Sequence, residues 1–233
     1  MKILLTTLNS KFIHTNLAIR YLRESVKDLV KVDVREYTIN NQLDYILKDI
    51  YKHDYDVVLF STYIWNIYDI VKLCENLKKV KPEIKIGLGG PEVTYDSENA
   101  MEKYEFLDYI LCGEGELVFR SLVEHFLGEK NIEDVKGIVY RKDGQIIVNE
   151  EMELLQNLDE IPSPYENLDV KEYENRIVYY ETSRGCPFNC QYCLSSAIKG
   201  LRYFSTDRVK RDLKNLIDAR VSQIKFIDRT FNA

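Results

Sequence analysis

Short apolar runs alternate with longer stretches in which apolar positions recur every three or four residues, and this rhythm covers residues 1–128. Lys2 to Leu8 is the first run and predicts a strand. Leu17, Ile19, Tyr21, Leu22, Val26 and Leu29 then recur mostly at helical spacing, which predicts a helix over 16–29. Val32 to Tyr37 is a second strand and 43–51 a second helix. The continuous run Asp56-Val57-Val58-Leu59-Phe60-Ser61 predicts a strand buried on both faces. A helix over 68–80 ends in lysines, which suit the negative end of its dipole, and Pro82 stops it. A fourth strand over 84–88 ends in Gly89-Gly90-Pro91, and a short helix follows over 93–104. The fifth strand, 108–112, ends in Gly113-Glu114-Gly115-Glu116 and is followed by a helix over 117–127.

Strands alternating with helices predict an α/β domain with a parallel sheet covered on both faces. Right-handed crossovers make it doubly wound, of the flavodoxin-like or Rossmann-like kind. The rhythm then changes. Residues 137–140 and 145–148 flank Asp143-Gly144, the signature of a β-hairpin. Leu158-Asp159-Glu160-Ile161-Pro162-Ser163-Pro164 reads as an extended linker. From Arg176 a new unit starts, with a strand over 177–181, an amphipathic helix over 206–219 and a strand over 223–227. The expected organisation is a domain over 1–128, a hairpin and linker over 129–175, and a second domain beginning at 176 and running to 233.

Composition narrows the class. With 45% hydrophobic and 30% charged residues the chain is an ordinary globular sequence. Its net charge of -6 is spread in mixed signs and makes no basic groove for nucleic acid. No run has the length of a membrane span, and the short apolar start lacks a signal-peptide pattern, so the expectation is a cytoplasmic protein. In a reducing compartment five cysteines do not form a disulfide framework.

Three of those cysteines fall together, in Thr182-Ser183-Arg184-Gly185-Cys186-Pro187-Phe188-Asn189-Cys190-Gln191-Tyr192-Cys193. The spacing C-x3-C-x2-C follows a strand and lets one loop present three thiolates to an iron–sulfur cluster. Three ligands for a four-iron cluster leave one iron open to a small molecule. The competing readings are a zinc knot, which wants a fourth ligand, and buried core thiols. No cysteine or histidine follows Cys193, and the surrounding residues are polar.

The loop closely resembles the signature of the radical S-adenosylmethionine (SAM) superfamily. The resemblance implies a [4Fe–4S] cluster on Cys186, Cys190 and Cys193, with the methionyl group of SAM on the fourth iron. Electron transfer then cleaves the sulfonium to a 5′-deoxyadenosyl radical. Tyr192 holds the aromatic position near the adenine. The family's barrel has further cofactor contacts after its second strand, matched here by residues 226–232. The usual Gly-Gly-Glu is absent there, so Asp228 is either a cofactor contact or a charge at a strand end.

Residues 1–128 resemble the cobalamin-binding domain that precedes many radical SAM barrels. Ser61 matches a Ser or Thr near the nucleotide tail, and Gly89 and Gly90 match a glycine pair lining its channel. Gly113 and Glu114, with the helix, hairpin and Leu-Asp-x-Ile-Pro-x-Pro that follow, look like the same subclass. Related domains that ligate cobalt carry Asp-x-His-x-x-Gly after the first strand. Here only His14 survives of that motif, either as a ligand or as a polar loop residue. Tyr63, Trp65 and Tyr68 either wall a corrin face or pack core. Glu114 and Glu116 are either an acid/base pair or helix caps. Cys74 and Cys112 read as buried, inert thiols.

The resemblance implies a cobalamin-dependent radical SAM enzyme that transfers a methyl group to an unactivated carbon. A radical rearrangement or a non-catalytic cobalamin-binding or docking module are the alternatives. An unidentified small-molecule or macromolecular substrate and an external electron donor are the implied partners. Only one strand–helix unit and one further strand follow Arg176, so the chain is expected to hold just the start of the barrel, with open strand edges.

Overall fold

The computed structural model describes residues 1–197 and 200–231. The chain divides into two compact units, one of residues 1–12 with 18–153 and one of 13–17 with 154–233.

In the first unit β1 (Ile3–Asn9), β2 (Val32–Thr38), β3 (Val57–Ser61), β4 (Lys85–Gly89) and β5 (Tyr109–Leu111) form a parallel sheet in the order β2-β1-β3-β4-β5. The connecting helices are α1 (Leu17–Ser25), α2 (Leu43–His53), α3 (Ile67–Val80), α4 (Pro91–Thr94), α5 (Ser97–Lys103) and α6 (Gly115–Phe126). Because successive strand residues point to opposite faces, each central strand feeds two cores. Leu4, Val58, Phe60, Ile86 and Ile110 pack with Ile46, Ile50, Ile70, Leu73, Cys74 and Leu77 of α2 and α3. Ile3, Leu5, Val57, Leu59 and Tyr109 pack on the other face with Ile19 of α1 and with Val118, Phe119, Leu122 and Val123 of α6. Every residue of β1 and β3 is buried, the expected consequence of helices on both faces. The doubly wound reading therefore holds, in its flavodoxin-like strand order.

Two expectations need correction. The helix over 93–104 is in fact α4 and α5, broken at Tyr95 and Asp96. The hairpin, read as part of a connector over 129–175, belongs to the first unit, which runs to residue 153. Its strands β6 (Ile138–Lys142) and β7 (Gln145–Val148) extend the sheet antiparallel beyond β5, with Tyr109 opposite Tyr140. The reason is burial: Val139 enters one core, while Ile138 and Tyr140 enter the other. Asp143 (φ 51°) and Gly144 (φ 79°) make the tight turn, both with the positive φ that a two-residue turn of this hand requires.

The second unit contains β8 (Ile177–Tyr180), β9 (Ser183–Cys186), β10 (Gly200–Tyr203), α7 (Thr206–Asp218) and β11 (Gln223–Phe226). β8 and β11 pair in parallel, with Ile177 opposite Gln223 and Tyr180 opposite Phe226, and α7 connects them. Ser205 caps α7 by accepting a hydrogen bond from the Arg208 N–H at 3.2 Å. The strand, helix and strand all lie where the sequence predicts them. The antiparallel pair β9–β10 was not predicted, because its residues carry no apolar alternation.

The proline-containing stretch is not a loose linker. The buried Arg208 guanidinium on α7 donates to the carbonyls of Leu158, Asp159 and Ile161, and Asn215 donates to the Tyr165 carbonyl. Residues 13–17 also join this unit: the Ile177 N–H donates to the Ile13 carbonyl at 2.7 Å, and Thr15 Oγ1 donates to the Ile177 carbonyl at 2.9 Å.

Candidate functional site

The first candidate site lies at the carboxyl ends of the parallel strands, where open α/β sheets take their ligands. Asn66, just before α3, ties two of those ends together. Its Nδ2 donates to the carbonyls of Leu8 (3.1 Å) and Ser61 (3.2 Å), and its Oδ1 accepts from the Tyr63 N–H at 2.7 Å. Thr7 Oγ1 donates to the same Ser61 carbonyl at 2.9 Å. Thr62 joins β3 to β4 twice, through its N–H (2.8 Å) and its hydroxyl (2.7 Å), both to the Gly89 carbonyl. The sequence already places Thr7 and Thr62 at these strand ends, but it does not single out Asn66. An Asn directly before an apolar-periodic stretch was the available signal for it.

Of the predicted residues, Ser61 ends β3 and is buried, and Gly89 ends β4 beside it, in register with Ser61. Gly90 has φ 105°, and a Cβ there would collide with the Thr62 carbonyl oxygen, so only glycine fits. Gly113 also has positive φ (77°), and a Cβ on it would meet open space. Glu114 precedes α6 without a capping side-chain hydrogen bond, whereas Glu116 in the first turn is buried. Ser61, Gly89 and Gly90 thus sit together at the β3 and β4 ends.

The aromatics after β3 do not pack core. Tyr63 and Trp65 stack face to face, centroids 4.5 Å apart and planes 3° apart. Trp65 Nε1 donates to the Leu8 carbonyl at 3.3 Å, while Tyr68 is 79% exposed. The strand ends therefore carry a flat aromatic platform after β3 and glycine backbone at the end of β4, and both suit a large planar cofactor with a polar tail. Cys74 is wholly buried and Cys112 half-buried, and burial pushes both thiols up.

His14 belongs to the other compact unit. It lies in the 13–17 segment of the second unit, bridged to Ile177. Its ring stacks on Tyr179, and Nδ1 is hydrogen-bonded to the Tyr179 hydroxyl.

The second candidate site is the cysteine loop. Cys186 ends β9 opposite Gly200 of β10. Gly185 has φ 94°, and a Cβ there would collide with the Gly200 carbonyl oxygen. The Cys193 N–H donates to the Cys190 carbonyl at 3.1 Å, a tight turn between the last two thiols. All three cysteines are half-buried, and Tyr192 is 93% exposed. Among the described residues no three His, Cys, Asp or Glu side chains are gathered to hold a metal ion. The fit of the loop to a cluster rests on its donor chemistry, three soft thiols on one short segment.

Asp228 is not a solvated strand-end charge. It follows β11, and its Oδ1 accepts from the Thr182 N–H (2.8 Å), the Thr182 hydroxyl (2.6 Å) and the Ser183 hydroxyl (2.7 Å). Its Oδ2 is buried without a hydrogen-bond partner among the described residues. The carboxylate thus clamps the segment that leads into the cysteine loop. Asn232, at the end of the matched stretch, lies outside the described residues.

Fold and sites together define a cofactor-binding α/β domain followed, in the same chain, by a strand–helix–strand unit bearing a thiol loop. The family model of the B12 binding domain matches residues 3–123, and the chain belongs to that family. The uncharacterised methyltransferase PH0819 of Pyrococcus horikoshii is 34% identical over 193 residues, covering 80% of this chain and 42% of that protein. The cobalamin-dependent radical SAM methyltransferase TokK of Streptomyces tokunonensis is 29% identical over 188 residues, covering 76% of this chain and 28% of TokK. Among solved structures, the cobalamin-dependent S-adenosylmethionine radical enzyme OxsB, with aqua-cobalamin and S-adenosylmethionine bound, aligns with a TM-score of 0.81 at 20% identity. That alignment covers 98% of this chain and 34% of OxsB, and it establishes likeness of fold. The chain spans less than half the length of each of these proteins. No helix among the described residues is long and apolar enough to cross a membrane.

Proposed function

We propose that this protein serves cobalamin-dependent radical SAM methyl transfer to an unactivated carbon. Its first unit holds cobalamin, and Cys186, Cys190 and Cys193 hold a [4Fe–4S] cluster that binds SAM. One observation carries the reading: a C-x3-C-x2-C loop follows β8 of a parallel strand–helix–strand unit, in the same chain as a B12 binding domain. When bound, these groups supply a low-potential electron, a methyl donor and a cobalt carrier for the methyl group.

The chain's own residues hold and orient. Ser61, Gly89 and Gly90 border the nucleotide tail at the β3 and β4 ends, where the missing Cβ of Gly90 lets the β4 end lie against the Thr62 backbone. Gly113 and Glu114 border the same end of the sheet after β5. The Tyr63–Trp65 stack offers an apolar plane to the corrin. Asp228 fixes Thr182 and Ser183, and so orients the strand leading into the thiol loop. The exposed Tyr192 ring is available to stack on adenine. The reducing electron comes from an external donor, and the site of action is the cytoplasm.

The test is anaerobic reconstitution with iron, sulfide and hydroxocobalamin, read by absorbance and EPR, beside a Cys186/Cys190/Cys193→Ala triple variant. A four-iron signal lost in the variant, with cobalamin co-eluting from both proteins, is the expected result. Zinc uptake in place of iron–sulfur, with no retained cobalamin, refutes the proposal.

A further inference from the structure

A hydroxyl faces the first cysteine of the loop. Thr230 Oγ1 lies 3.3 Å from Cys186 Sγ, within the same unit. Two features hold the pair in register. Asp228, two residues before Thr230, is anchored by three hydrogen bonds to Thr182 and Ser183, three residues before Cys186. On the other side, β9 pairs with β10 at Cys186 and Gly200, and Gly185 lies so close to Gly200 that a Cβ on it would meet the Gly200 carbonyl oxygen. The Thr230 hydroxyl is therefore presented to that sulfur by two independently braced segments.

A free thiol and a hydroxyl 3.3 Å apart can donate in either sense. A thiolate cannot donate. Once Cys186 is a cluster ligand, only the Thr230 hydroxyl can donate, and it donates to the ligating sulfur. Adding one electron to a four-iron cluster breaks no bond and raises the negative charge on its sulfurs. A donor to such a sulfur therefore favours the reduced form, and hydrogen bonds to sulfur are among the factors that set cluster potentials.

The geometry points to Thr230 as a positioning residue that tunes the cluster, its hydroxyl donating to Cys186 Sγ and raising the cluster's reduction potential. This rests on the proposed ligation by Cys186, Cys190 and Cys193. In this role Thr230 acts through the ligating sulfur. The family likeness does not foretell it, since the sequence around 230 lacks the usual Gly-Gly-Glu.

The experiment is a redox titration followed by EPR on the reconstituted 233-residue chain, comparing wild type with Thr230→Val, Thr230→Ala and Thr230→Ser. Val keeps the shape and removes the donor; Ser keeps the donor. The expected result is a lower midpoint potential in the Val and Ala variants. About a tenfold loss in the equilibrium for reduction corresponds to roughly 59 mV for a one-electron couple. The Ser variant should titrate with wild type. Equal potentials in wild type and in whichever of Val and Ala retains its cluster overturn the inference while leaving the ligation intact. A wild-type chain that takes up no four-iron cluster overturns the ligation, and the inference with it.

Discussion

The His14 ring lies parallel to that of Tyr179, centroids 5.8 Å apart and planes 22° apart, and the two are hydrogen-bonded through Nδ1. The histidine at the position of a cobalt-ligating motif thus packs within the second unit, against Tyr179 of β8. The bonds of Ile13 and Thr15 to the Ile177 backbone secure it there.

His14→Ala should therefore leave cobalamin retention and its visible spectrum unchanged, because the ring is engaged by Tyr179 through Nδ1. The Co(II) EPR signal should lack protein-derived nitrogen splitting in wild type and variant alike. The substitution should cost about 1 kcal/mol in urea unfolding, the worth of a side-chain hydrogen bond. Nitrogen splitting that vanishes in the variant would contradict this placement of His14.

Gly90→Ala forces a Cβ onto a backbone with φ 105° and against the Thr62 carbonyl. Strain of this kind costs about 1–3 kcal/mol. A lowered urea midpoint with weaker cobalamin co-elution is the expected outcome. Gly89→Ala meets only ordinary contacts, so an equal loss there would mean the strain argument is wrong.

Asp228→Ala removes the acceptor for three donors at once. Leaving them unsatisfied should cost about 3 kcal/mol, and iron uptake by the adjacent loop should fall with it. Asp228→Asn retains one carbonyl acceptor and should recover part of both. Full iron content in the Ala variant would separate the clamp from the loop.

Alkylation should sort the cysteines. Cys74 is wholly buried, and desolvation raises its thiol well above the usual range, so it should resist iodoacetamide at pH 8 in the native apo-chain. Cys186, Cys190 and Cys193 are half-buried and should label. Peptide mass spectrometry reads the pattern, and native labelling of Cys74 ahead of the loop thiols would count against the core packing described here.

The paired guanidinium of Arg120, donating to both Asp28 oxygens at 2.7 and 2.8 Å, lowers the Asp28 carboxyl to about 2. A depressed folded-state value stabilises above the unfolded value, 3.8, and that contribution is lost as pH falls towards 2. The pair is largely exposed, so solvent screening limits it to well under 1 kcal/mol. Urea midpoints of wild type and Asp28→Asn should differ slightly at pH 6 and converge as the pH drops below 4. A gap that widens on acidification would reverse the sign.

Much was legible in the sequence because it is written in local periodicity. Continuous apolar runs such as Asp56 to Ser61 need two covering layers, which dictates helices on both faces. Asp143-Gly144 specifies a turn with positive φ at both positions, and three thiols in one short segment declare their chemistry by spacing alone. Only the tertiary structure decided the partners. Whether the hairpin joins the sheet depends on burial of Ile138, Val139 and Tyr140 in two cores, and nothing within the hairpin encodes that. That His14 packs on Tyr179 depends on bonds from Ile13 and Thr15 to Ile177, more than a hundred residues away. The roles of Asn66, Asp228 and Thr230 arise likewise from contacts between strand ends distant in the chain, because a polar side chain carries no periodic signal of the group it will meet.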